Sequence, residues 1–175
     1  MLSLKNVIRF FAVLICVTSC SKDEDYIPFH ASAIHNGILI SYTGADEKDM
    51  LLSEDIVSSI SIKGQYSKKD IPFTIKSIID GNSSRSYLSF NAELPSSNDM
   101  NFNVDKTEAH GESVVNLNIC GKQIKLKCKF IYNCSNSETY GSNIIKLDSI
   151  ECNGISMSEK ANSQIIIELA DLIGI

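Results

Sequence analysis

Tryptophan is absent from this 175-residue chain, and aromatic residues make up only 7% of it. Any ligand site that needs a stacking surface is therefore confined to a few tyrosines: Tyr42, Tyr66, Tyr87, Tyr132 and Tyr140 are the candidates in the body of the chain. Long apolar runs are missing too. The longest, Phe10–Val17, falls far short of the ~20 residues that span a bilayer as a helix, so the sequence predicts no transmembrane helix. Short motifs with a built-in mechanism are equally scarce. There is no C-x-x-C, no H-E-x-x-H, no G-x-S-x-G elbow and no P-loop. His30, His35 and His110 lack a partner at helical i+4 spacing, and no metal or cofactor is expected. The acidic stretch Asp46, Glu47, Asp49, Glu54 and Asp55 is rich in oxygen ligands, yet it departs from the D-x-[DN]-x-[DN]-G pattern of a calcium loop.

Basic residues are outnumbered, 16 against 21 acidic ones, for a net charge of −5. Such a balance excludes the phosphate-neutralising surface that nucleic acid requires. Hydrophobic content of 43% supports a full core.

The N-terminus is the most informative part. Lys5 and Arg9 precede the apolar run Phe10–Val17, the layout of a secretory signal. Val17-Thr18-Ser19-Cys20 follows: an apolar residue, two small ones and a cysteine. It resembles the lipobox of bacterial lipoproteins. That resemblance implies cleavage before Cys20, lipid on the Cys20 thiol, and attachment to a membrane through the lipid. Two acyl chains, at about 0.8 kcal/mol per buried methylene, make a stable anchor. Ser21, Lys22, Asp23, Glu24 and Asp25 resemble the charged tether that follows the lipidated cysteine in Bacteroidota-type surface lipoproteins, which implies export to the outer face of the outer membrane. Without Lys5 and Arg9, the 16 basic residues become 14 against 21 acidic ones, and the net charge moves to −7.

Beyond the tether a period of two dominates. In Ser113–Ile131 two alternating runs flank Gly121-Lys122, which reads as a hairpin with Ile119 facing Ile124 and Leu117 facing Leu126. Further strands are expected at 37–43, 56–63, 72–79, 87–94, 101–105, 144–152 and 163–169, with a helical turn in 47–55. The Ile165-Ile166-Ile167 run favours a strand, because β-branched side chains lose rotamer freedom in helices. Short strands broken by Gly, Asn, Ser and Pro predict an all-β, antiparallel β-sandwich, immunoglobulin-like or similar. The expected organisation is a signal at 1–19, a lipidated cysteine and tether at 20–28, and one sandwich domain at 29–175.

Four cysteines remain in that domain: Cys120, Cys128, Cys134 and Cys152. An even number in an exported chain suggests disulfides of undetermined connectivity. Asp148-Ser149-Ile150 resembles the O-glycosylation motif of Bacteroidota-type exported proteins, which makes Ser149 a candidate acceptor. The combined reading is a lipid-anchored binding or structural module without catalysis, meeting a protein or glycan partner. Two alternatives are a periplasm-facing inhibitor or immunity lipoprotein, whose acidic surface would speed association with a basic enzyme, and a small hydrolase.

Overall fold

The computed structural model describes residues 26–44, 47–80, 83–135, 142–152, 154–157, 160–161 and 164–169. Two sheets pack together as an all-β sandwich. The larger runs in the order β1 (Ala33–His35), β9 (Asn143–Cys152), β8 (Lys122–Cys134), β7 (Glu108–Ile119) and β3 (Ser61–Gly64). On its margins β10 (Ile155–Met157) pairs with β9 and β6 (Asn101–Phe102) pairs with β7. The smaller sheet runs β11 (Lys160–Ala161), β12 (Gln164–Glu168), β2 (Gly37–Ser41), β5 (Ser83–Asn91) and β4 (Phe73–Asp80).

Most pairings are antiparallel, but β1 lies parallel to β9 and β12 parallel to β2. The chain leaves β1 in the larger sheet and enters β2 in the smaller one across a single residue, Asn36. That crossing is held by two bonds to Ala92: the Asn36 side-chain amide donates to its carbonyl (2.6 Å), and its N–H donates to the Asn36 carbonyl (2.8 Å).

The strand sequences explain their places. β2 is buried on both faces from Ile38 to Ser41, as a central strand must be. β8 alternates, burying Ile124, Leu126, Cys128, Phe130 and Tyr132. Ile38, Ile40, Leu88, Ile165 and Ile167 of the smaller sheet meet Leu117, Leu126, Phe130, Ile145 and Ile150 of the larger in one core. Each such side chain contributes about 1.5–3 kcal/mol by leaving water.

Three local expectations are corrected. The hairpin turn is Cys120-Gly121, not Gly121-Lys122: Ile119 pairs with Lys122, Leu117 with Ile124 and Val115 with Leu126. Cys120 (φ 51°) and Gly121 (φ 75°) are both left-handed, the requirement of a type I′ turn. The shift moves each partner by two residues, so the buried face is unchanged. Residues 56–63 are not one strand. Glu54–Ser58 is a short helix, and the strand begins at Ser61. Glu54 and Asp55 in its first turn suit the positive end of a helix, which the β-branched pair Ile56-Val57 conceals. Finally, the strand expected at 87–94 runs earlier, since β5 spans Ser83–Asn91.

Candidate ligand-binding face

The outward side of the larger sheet carries Glu108, His110, Glu112, Asn116 and Asn118 from β7, and Gln123, Lys125, Lys127 and Lys129 from β8. Across this face folds the turn that follows β3. Its Gln65 N–H donates to the Val114 carbonyl (2.9 Å), extending the β3–β7 ladder, and Val114, although outward-pointing, is buried.

A buried carboxylate holds that turn. Glu93, only 8% exposed, accepts from the N–H groups of Tyr66 (3.1 Å) and Ser67 (2.7 Å). Its own carbonyl accepts from the Ser113 hydroxyl (2.5 Å), which ties it to β7. Gly64 makes room: a β-carbon there would stand 2.2 Å from Glu93 Oε1. Two backbone donors satisfy the carboxylate that burial would otherwise penalise.

The turn projects Tyr66 over the face, 37% exposed and stacked on Tyr26 with ring centroids 6.5 Å apart and planes 20° apart. Tyr26 in turn donates its hydroxyl to the Leu94 carbonyl (2.8 Å). Burial, reinforced by the Glu93 charge, pushes the Tyr26 phenol up to about 12. Burial also raises the Tyr66 phenol, with Asp99, Glu112 and Glu93 adding to the effect and Lys127 opposing it. Both hydroxyls therefore stay protonated at neutral pH and can donate.

Two grooves flank the turn. The one beside Tyr66, about 550 Å³, is lined by Asp99, Asn101, His110, Glu112, Lys129 and Asp148, among others. The other, also about 550 Å³, carries Lys63, Gln65, Lys68, Asn116 and Asn118. The charges around the Tyr66 groove are largely paired in place. His110 Nε2 lies 2.9 Å from Glu108 Oε1, Lys127 Nζ lies 2.8 Å from Glu112 Oε2, and Lys129 Nζ lies 3.4 Å from Glu151 Oε2. The Glu112 bond raises the Lys127 ammonium. The floor is broken by a β-bulge, because Lys129 pairs with Ser149 while Phe130 pairs with Leu147, leaving Asp148 as the extra residue. Bulges re-aim side chains, and this one brings Asp148 to the groove.

The residues singled out from the sequence divide as follows. Cys20 and Ser21–Asp25 lie outside the described residues, as do Tyr140 and Asp46. Ser149 sits at the bulge, half-buried within β9. Tyr42 and Tyr132 are core residues, and Tyr66 alone of the tyrosine candidates lines the groove. Asp49 is structural: its carboxylate accepts from the N–H of Leu51 (3.1 Å) and of Ser86 (2.7 Å). Among the described residues no three His, Cys, Asp or Glu side chains gather as a metal site. Tyr26 and Glu93, which frame the groove, carry no local sequence signal.

In this structure no bridge joins Cys120, Cys128, Cys134 and Cys152. Geometry gives the reason. Cys120 is exposed in the β7–β8 turn, whereas Cys134 closes the far end of β8. Cys128 faces Ile150, and Cys152 faces Leu126, so these two are diagonal neighbours across β8 and β9. Diagonal pairs stand about 7–8 Å apart, beyond the usual disulfide reach. Burial pushes the Cys128 thiol up to about 12 and raises that of Cys152.

No protein-family model, no curated protein and no solved structure matches this chain.

Proposed function

We propose that this chain is a lipid-anchored, non-catalytic binding module of the outer membrane, displayed at the cell surface, with the Tyr66 face as its ligand site. The observation that supports it most is the scaffold beneath Tyr66. A buried carboxylate, a glycine without which it would not fit, and a stacked tyrosine are all used to hold one exposed aromatic ring above a groove. Exposed polar turns do not need such support, whereas ligand sites gain from being formed in advance. The lipobox Val17–Cys20 and the charged tether supply the address. Tyr26 follows Cys20 by six residues, a reach of at most ~20 Å, so the groove would work close to the membrane surface.

A photo-reactive side chain at Asn101 in the groove, and separately at Thr74 on the other sheet, tests the reading in intact cells. Light-dependent adducts at residue 101 and not at 74 are expected. Equal labelling at both positions, or none at either, would remove this face as the ligand site.

A further inference from the structure

We infer that the Tyr66 groove binds an uncharged oligosaccharide, with a pyranose ring on Tyr66 and its hydroxyls on Asp99, Asn101, His110 and Asp148. The inference deepens the reading of this face as a ligand site and rests on it. Four features of the groove select the class. Its exposed aromatic surface is a tyrosine whose backbone is held by Glu93 and whose ring stacks on Tyr26, which suits the C–H face of a sugar ring; the lining Phe130 is buried. Its polar lining mixes carboxylate, amide and imidazole groups, so it offers acceptors and donors in the alternation that sugar hydroxyls require.

The third feature is charge. The groove's lysine already has a carboxylate partner, Lys129 with Glu151, and the His110 ring is taken up by Glu108. A phosphate, sulfate or uronate would have to compete for them against the chain's own acids, and the overall net charge of −5 also repels anions. A hydroxyl has no such conflict. It donates to the lone pairs a carboxylate has left, of which each carboxylate holds about four. The fourth feature is size: about 550 Å³, open along the sheet, lies inside the range of about 300–1,000 Å³ typical of small-molecule sites and lets a chain run through.

The test uses the full chain in detergent micelles against immobilised neutral, anionic and cationic oligosaccharides and a basic peptide, each at low and high salt. Expected is binding to a neutral glycan that is unchanged by salt. Tyr66→Ala should weaken it about tenfold, Tyr66→Phe should keep it within about threefold, and Asn101→Ala should weaken it several-fold. Retention by Tyr66→Phe separates loss of the ring from loss of the fold. Salt-sensitive binding to a charged probe, or neutral-glycan binding indifferent to Tyr66→Ala, overturns the inference. So does the absence of neutral-glycan binding. Adducts at residue 101 then decide whether the face binds another class of ligand or none.

Discussion

A methyl group added at residue 64 would collide with the Glu93 carboxylate that holds the turn carrying Tyr66. Gly64→Ala should therefore destabilise the fold by about 1–3 kcal/mol through overpacking, since the clash is with a buried group held by two N–H donors. Glu93→Ala should cost roughly 1.5–3 kcal/mol, because it strips both donors of a charged acceptor. The two effects must not add. With the carboxylate gone, the alanine at 64 meets less obstruction, and urea midpoints of the double variant should fall short of the sum by about 1 kcal/mol. Additive losses would show that Gly64 and Glu93 do not act on each other. A second residue-scale test concerns protons. The Cys128 thiol ordinarily ionises at 9.0, but burial moves it up to about 12 in the folded chain. Between those values the unfolded chain releases a proton that the folded chain keeps, so stability should decline as pH rises from 9 towards 12. Tyr26, raised from 10.0 to about 12, acts in the same direction. Cys128→Ala should lose less stability than the native chain between about pH 8 and about pH 10.5; equal pH slopes would exclude the contribution. In the same chain Cys120, exposed in its turn, should alkylate under native conditions while Cys128 does not.

Among the elements, the β7–β8 hairpin is the most exacting. Its type I′ turn places Cys120 at φ 51°, a conformation that costs most side chains about 1–2 kcal/mol but that Asn and Gly tolerate. Cys120→Asn should raise stability by roughly 0.5–1 kcal/mol, and Cys120→Val should lower it, as read from thermal unfolding. A loss with Asn would mean that the Cys120 side chain contributes more than its backbone costs. This hairpin also shows what the sequence makes legible. Alternation in β7 and β8 reveals which side chains are buried, because a two-residue slip preserves the face; it does not reveal the turn, which depends on φ. β12 is legible in the same way, from Ile165 and Ile167. The helix at Glu54–Ser58 is not, because Ile56 and Val57 have strand-forming side chains and its acids read equally as loop. Sheet order was out of reach: β1 and β9 pair across 110 residues of chain, and nothing local announces a partner so distant. For the groove, the scarcity of aromatics narrows the choice to a few tyrosines and includes Tyr66. Its support is hidden because Glu93 lies 27 residues away and looks like any surface acid.

At the scale of the molecule, fold and address make one arrangement. The described sandwich begins at Tyr26, which packs on Tyr66, and at Pro28, which bridges to Ser96, so the proposed ligand face lies where the chain enters the fold. On the proposed reading, a domain held by lipid on Cys20 can meet an external ligand only from the outer leaflet. The direct measurement is protease treatment of intact cells, comparing the natural tether with a form in which Lys22, Asp23, Glu24 and Asp25 are all changed to Ala. The proposed surface display predicts that the natural chain is shaved from the cell and the alanine form is protected. Protection of both would contradict it and would leave Cys20 anchoring the domain towards the periplasm, where an acidic inhibitor of a basic enzyme becomes the better reading.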